Sequence, residues 1–290
     1  MTGSNNLKEN IIYGIFLVLG LITVGFVLLI SIYLIIAGLP AIREIGLIDF
    51  LFGTKWASTA AEPKFGILPF ILTSVYGTAG AVIIAIPVGV FTAVYISKIA
   101  PKWVRTWVSG AVNLLAGIPS VVYGLVGMMV LIPGIRVVFN VPDGATLLAA
   151  IIVLSIMILP YIISVSVTSL DAVPKSYEDA SLALGANHIE TFFRVSVPAA
   201  KSGIAAAVVL GVGRAIGEAM AVIMVSGNVA NMPGIFESVR FLTSAVASEM
   251  SYSSGLQREA LFSIALVLFL FIMLINACLN FFIKRGQKLH

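Results

Sequence analysis

Two groups of residues in this sequence have types and spacings that could do chemistry. The first is Arg214 with Glu218, a cation and an anion set in an otherwise apolar stretch. A charge at the centre of a bilayer costs roughly 2.5–3.5 kcal/mol on insertion scales, so an ionisable residue at that depth is read first as part of a substrate path. A guanidinium carries a fixed charge and a planar fork of donors that matches two oxygens of an oxyanion. A carboxylate one helical turn away would offset part of its field and keep binding transient. On a continuous helix Gly203, Ala207, Gly211, Arg214, Glu218, Ala221 and Val225 share one face. That face is small apart from the charged pair, and small residues admit a neighbouring helix or a solvated path. The competing reading is a structural ion pair, a role that two aliphatic residues would fill at least as well.

The second group is a polar interlude, Tyr177 to Pro198, between two long apolar segments. Tyr177-Glu178-Asp179-Ala180-Ser181-Leu182-Ala183-Leu184 reads as a short amphipathic helix. Gly185 ends it, because glycine enters the left-handed cap conformation without a Cβ penalty. A second short helix carrying Phe192, Phe193 and Arg194 follows, and Pro198 closes it before the next apolar run. The expected product is a helix–turn–helix lying outside the membrane.

Other chemistries find no support in the residues. His188 and His290 are the two histidines and Cys278 is the one cysteine, which excludes an internal disulfide, a cysteine metal cage and a zincin motif. No catalytic constellation and no metal site can be assembled, and no phosphate-binding G-x-x-x-x-G-K-[ST] loop occurs. Energy for any pumping must come from another chain or an ion gradient.

The elements that must position these groups are membrane helices. The chain is 60% hydrophobic and 10% charged, with mean hydropathy +1.10, far from the half-apolar, quarter-charged balance of soluble domains. Apolar runs predict an all-α integral membrane fold with six spans, at about 11–37, 66–97, 106–133, 146–170, 202–226 and 260–283. The polar N-terminus covers 1–10, and the loop spans 171–201. Pro87, Pro119 and Pro160 fall inside spans and predict kinks, since a helical proline removes a backbone hydrogen bond.

Six spans put both termini on one side. That side collects Lys8, Lys98, Lys102, Arg105, Lys175, Arg194, Lys201, Lys284, Arg285 and Lys288, leaving Arg43, Lys55, Lys64, Arg136, Arg240 and Arg258 opposite. The positive-inside rule makes the richer side cytoplasmic and places the 171–201 loop there as well. The outer loops Gly38–Phe65 and Gly227–Gln257 show mixed polarity and exposed aromatics.

Within the loop, Asp179-Ala180-Ser181, then Gly185, then Val195-Ser196-Val197-Pro198 stand at offsets that resemble the EAA loop of bacterial ABC importer permeases. Asp replaces Glu, Ser replaces Ala, and Val replaces Ile or Leu, all with size or charge kept. The resemblance implies the MetI-like permease fold, with Glu178, Asp179, Ala180, Ser181, Gly185 and Pro198 in the part that docks into a separate ATPase. Three further stretches resemble the PstC-type permease of phosphate ABC importers: Gly211 to Val222, Phe65-Gly66-Ile67-Leu68-Pro69-Phe70, and Ala116-Gly117-Ile118-Pro119-Ser120-Val121-Val122-Tyr123-Gly124.

This implies a transport subunit with no enzymatic activity and no cofactor of its own, in the cell (inner) membrane of a bacterium or archaeon. ATP and Mg would be bound by a dimeric PstB-type ATPase. A PstA-type sister permease and an external PstS-type phosphate-binding protein complete the set, with no nucleic acid involved. Arg214 and Glu218 would line the substrate path. Alternatives are a permease for another oxyanion, such as sulfate or molybdate, and a secondary transporter. The latter would usually carry inverted repeats and further intramembrane carboxylates.

Overall fold

The computed structural model describes residues 3–287, with side chains over 9–279 and at 281. Of the basic residues expected on the cytoplasmic side, Lys288 and the side chains of Lys8, Lys284 and Arg285 lie outside the described residues. The chain runs α1 (Gly3–Ile45), α2 (Leu47–Phe52), a two-stranded hairpin β1 (Trp56–Ala57) and β2 (Lys64–Phe65), and α3 (Leu68–Val94), which widens into a π turn at Tyr95–Ile99. Then come α4 (Lys102–Gly117), α5 (Ser120–Val126), a π turn Gly127–Leu131, α6 (Ile132–Phe139) and α7 (Leu147–Asp171). The polar loop holds α8 (Lys175–Ala183), α9 (His188–Thr191), a π turn Phe192–Ser196 and α10 (Val197–Ala199). The chain continues through α11 (Lys201–Gly217), α12 (Met220–Val225), α13 (Leu242–Glu249) and α14 (Gly255–Gln287).

Among the described residues five helices are long and apolar enough to cross a membrane, and six if the bent pair His188–Ala199 and Lys201–Gly217 counts as one span. α7 is the centre of the bundle. It is apolar on nearly every side and packs against α3, α4, α11 and α12. Leu154, Ile158 and Ile162 on α7 are fully or almost fully buried, with Ala81 and Ala85 of α3 in the same core. The small-residue stripe of α11 meets α7 directly. A Cβ on Gly211 would stand 3.2 Å from Ile162, and one on Gly203 would clash with the Ser169 hydroxyl. α1 packs mainly on α14, and its apolar surface from Ile11 to Ile36 is largely exposed, as suits a helix in lipid.

Two expected spans are broken rather than kinked. In the third, Pro119 is no bend within a helix: α4 ends at Gly117, Ile118 is extended (φ −70°, ψ 128°), and Pro119 stands before the first turn of α5. Proline has no N–H and clashes with the preceding turn, so the helix restarts there. The helical stretch here that is long and apolar enough to cross a membrane is accordingly Ser120–Phe139, which overlaps the later part of the expected 106–133. In the fifth, α11 ends at Gly217, Glu218 is extended (φ −72°, ψ 128°), and α12 begins two residues later. Pro87 and Pro160 do lie inside α3 and α7. The first helix also runs beyond 11–37, its apolar part covering Glu9–Ile45.

The half-helices beyond the breaks, α5 and α12, pack on each other. A Cβ on Gly124 would come within 3.0 Å of the Ala221 Cα, and one on Gly127 within 2.7 Å of the Val225 side chain.

Candidate functional site

The break between α11 and α12 is built by Glu218 itself. Its carboxylate Oε1 accepts the backbone N–H of Ala221 at 3.0 Å, and its carbonyl accepts the Thr243 hydroxyl at 2.6 Å. A helix start leaves backbone N–H groups without intrahelical partners, and a side-chain oxygen just before it satisfies one of them. The side chain is buried, so this bond serves a group that water cannot reach easily.

Arg214 is therefore not paired with Glu218 as the continuous-helix reading expects. Among the described residues the ion pairs join Lys98 to Glu178, Arg105 to Asp171 and Arg240 to Glu249, and none includes Arg214. Instead its guanidinium carbon lies 4.4 Å from the centroid of the Tyr161 ring on α7. Its Nε is buried without a hydrogen-bond partner among the described residues. A cation held by an aromatic face keeps the edge of its fork free, and that edge is where oxyanions bind.

Tyr161 and Tyr123 hold the other break. The Tyr161 hydroxyl donates to the Ala116 carbonyl at 3.0 Å, and the Tyr123 hydroxyl donates to the Leu115 carbonyl at 2.8 Å. In an uninterrupted helix these carbonyls would face the N–H groups of residues 120 and 119, and residue 119 is proline. The Leu115 carbonyl also accepts the Ile118 N–H at 3.2 Å, and carbonyls freed from the helix at membrane depth need such donors. Neither tyrosine stood out in the sequence. A tyrosine set in an apolar run, whose hydroxyl demands a partner at membrane depth, is the signal that would have found them.

The nearby cavity is of a different kind. About 580 Å³ opens between α5–α6 and α7, lined by Ile118, Val122, Val126, Ile152 and Ile156 with Tyr123. Its walls suit lipid or an apolar helix, and Arg214 does not line it.

The polar loop lies at the far end of α3 from the hairpin. α8 ends in a Schellman closure: Gly185 takes φ +88°, its N–H bonds Leu182 O at 3.0 Å, and the Ala186 N–H bonds Ser181 O at 3.3 Å. Asn187 and Glu190 then form a capping box that starts α9. The Ser181 and Thr191 hydroxyls are 3.0 Å apart and join the two arms. Pro198 falls in the first turn of α10, and the stretch ending at Ala199 bends by 69° into α11. Asp179 and Ala180 are exposed, as are Tyr177, Leu184, Ile189 and Phe193. Leu184, at 90% exposure, lies outside the chain's own core.

Glu178 points the other way. Lys98 Nζ lies 2.6 Å from its Oε1, and the Ser196 hydroxyl donates to the same oxygen at 2.8 Å. Burial pushes this carboxyl up, but the Lys98 and Ser196 hydrogen bonds and the charges of Lys98 and Lys175 outweigh it, so its pKa lies below the ordinary value. Beside it Asp171 takes Arg105 at 2.5 Å and the Ser97 hydroxyl at 2.6 Å. These pairs fasten α8 and the ends of α3, α4 and α7 to one another.

At the opposite end the two long loops meet on Glu249. It accepts from Trp56 Nε1 at 3.3 Å and Gln257 Nε2 at 3.1 Å, and it pairs with Arg240. Trp56 also stacks edge-on against Phe65 across the hairpin.

Comparison with known proteins follows this geometry. The family model described as "Binding-protein-dependent transport system inner membrane component" matches residues 85–287, more than half of the chain. The probable ABC transporter permease protein YqgH of Bacillus subtilis is 40% identical over 265 residues, covering 88% of this chain and 86% of that protein. The phosphate transport system permease protein PstC of Haemophilus influenzae is 33% identical over 286 residues, covering 91% and 90%. Among solved structures, a chain of a bacterial alginate ABC transporter superposes with TM-score 0.63 at 15% identity, covering 96% of both chains. A chain of the inward-facing MetNI methionine ABC transporter gives 0.60 at 20% identity, covering 76% of this chain and 95% of that one. At these identities the two structures speak to the fold alone.

Proposed function

The chain belongs to the family of binding-protein-dependent transport system inner membrane components, and from that premise we propose that its cargo is inorganic phosphate. As a member it is a multi-pass permease subunit of an ABC importer, with no catalytic activity or cofactor of its own. It works with an ATPase and a binding protein supplied by other chains.

The phosphate reading is carried by the likeness to curated phosphate permeases over most of the chain. The geometry of Arg214 supports it. Phosphate near neutral pH carries one to two negative charges, and removing its water inside the membrane needs a fixed countercharge with matched donors. Arg214 supplies both, and its fork is not consumed by a carboxylate. Glu218 serves this site by ending α11 one turn past the arginine and starting α12.

The partners in this reading are a PstA-type sister permease, two PstB-type ATPase subunits and a PstS-type binding protein. Asp179, Ala180, Ser181 and the exposed Leu184 enter the ATPase cleft. The Trp56–Glu249 cluster faces the binding protein, and both termini are cytoplasmic.

Labelled phosphate uptake by the reconstituted complex tests this, with Arg214→Gln as the informative variant. Uptake should be lost while the four subunit types still co-purify, and Arg214→Lys should keep part of it. Wild-type uptake by Arg214→Gln would refute the arginine contact, and competition by sulfate or molybdate as effective as by phosphate would refute phosphate as the cargo.

A further inference from the structure

We propose that Tyr161 is the positioning residue for Arg214: its ring holds the guanidinium by the face, leaves the N–H edge open for the oxyanion, and ties that edge to the break between α4 and α5. The inference rests on the reading that Arg214 meets the transported anion.

Three observations carry it. The guanidinium carbon of Arg214 is 4.4 Å from the ring centroid, well inside the distance at which a cation is held by an aromatic quadrupole. The Nε of Arg214 is buried and unpartnered among the described residues, so the contact with Tyr161 uses the face of the group and not its donors. The ring is itself fixed, because its hydroxyl donates to the Ala116 carbonyl at 3.0 Å.

A holder of this kind differs in effect from a carboxylate. A carboxylate beside the arginine would occupy two of its donors and cancel much of its charge before an anion arrived. A neutral ring fixes the direction of the fork and leaves the charge in place. An anion that reoriented the guanidinium would move the ring with it. The hydroxyl bond would then pull on Ala116, whose carbonyl lies two residues before the extended Ile118. Occupancy of the arginine and the shape of the α4–α5 break are thus read by one side chain.

The test replaces Tyr161 in the full complex by phenylalanine and by phenylalanines carrying one, two and three ring fluorines. Fluorination weakens the ring quadrupole while the shape changes little. Labelled phosphate uptake and ATPase activity stimulated by the binding protein are measured on each. Tyr161→Phe should keep at least about a third of wild-type uptake, since the ring stays. Uptake should then fall stepwise along the fluorinated series, by about threefold or more in all. Subunit co-purification should not change along it. A flat series overturns the proposal, because a ring that only fills space is indifferent to fluorine. Tyr161→Leu falling no further than Tyr161→Phe also overturns it. If the leucine variant does not assemble, the fluorinated series decides alone. Arg214→Gln is run in parallel: wild-type uptake there defeats the anion contact itself, whereas loss of uptake there with a flat series defeats only the role of Tyr161.

Discussion

Lys98 and Glu178 meet at 2.6 Å, and this joins the π turn at the end of α3 to the first helix of the polar loop. Their side chains are 11% and 19% exposed, so the pair is better shielded than an ordinary surface bridge. Ser196 adds its hydroxyl to the same carboxylate oxygen from the far arm of the loop. One carboxylate therefore holds both arms against the membrane helices, while Asp179 and Leu184 stay exposed.

Glu178→Gln and Lys98→Met should each loosen the loop, reducing ATPase stimulation by the binding protein several-fold while the spans still insert. The pH dependence has a definite sign. The folded pKa of Glu178 lies below the ordinary 4.5, so its contribution is complete above that value and is lost as pH falls through the depressed one. Thermal stability of the purified complex should therefore lose less in Glu178→Gln at acid pH below that window than at pH 7. An equal deficit at both would show that the carboxylate's charge is not what counts.

Gly185→Val should damage coupling more than Gly185→Asn. The site has φ +88°, which costs a non-glycine residue roughly 1–2 kcal/mol and is borne best by asparagine. A Cβ there meets no other atom within 4 Å, so any effect is one of backbone conformation and not of crowding. Uptake and stimulated ATPase activity, compared at equal amounts of assembled complex, check the order. Equal activity of the two variants would separate the turn from transmission.

Glu218→Gln should be milder than Glu218→Ala. The amide oxygen of glutamine can still accept the Ala221 N–H, whereas alanine removes the cap, a loss of about 0.5–2 kcal/mol. Thr243→Val removes the other fastening at the same residue and should resemble the alanine variant. Melting temperature and uptake of the complex are the readouts. If glutamine proved as harmful as alanine, charge and not capping would be the function of Glu218.

A cysteine placed at Thr59 in a Cys278→Ala background should react with a membrane-impermeant reagent from outside intact cells. One at Ser176 should react only after the membrane is opened. Both positions are exposed, so access depends on sidedness alone. The reverse pattern would invert the proposed orientation of the loop.

Some of this architecture was legible in the residues, and some was not. The turn at Gly185 carries its own mark, since positive φ selects glycine and the flanking residues form caps. Pro119 marked its locality correctly, but a proline in an apolar run does not tell a bend from a restart. The deciding facts are the extended Ile118 and the tyrosines that satisfy its neighbours' carbonyls. At Glu218 no proline stands guard, and the spacing from Arg214 fits an unbroken helix so well that the break stayed hidden. There the Glu218 carboxylate caps α12, and its carbonyl takes a hydroxyl from Thr243, 25 positions away in sequence. The Arg214–Tyr161 contact was equally invisible, because periodicity orders residues within one helix and says nothing of which ring a second helix brings over it.

The two breaks have a mechanical meaning. An α-helix is stiff along its axis, and interrupting its hydrogen-bond ladder creates a point of compliance. Here Ile118 and Glu218 share nearly the same backbone angles, and the segments beyond them are locked together through Gly124 and Gly127. In the proposed coupling, a push delivered by the polar loop would pass along α11 and reach the break beside Arg214. Beyond that level the close packing of α5 on α12 would make the two tilt together. On that reading the load path would change character at the depth of Arg214, where a stroke begun at the loop would turn from thrust into rotation.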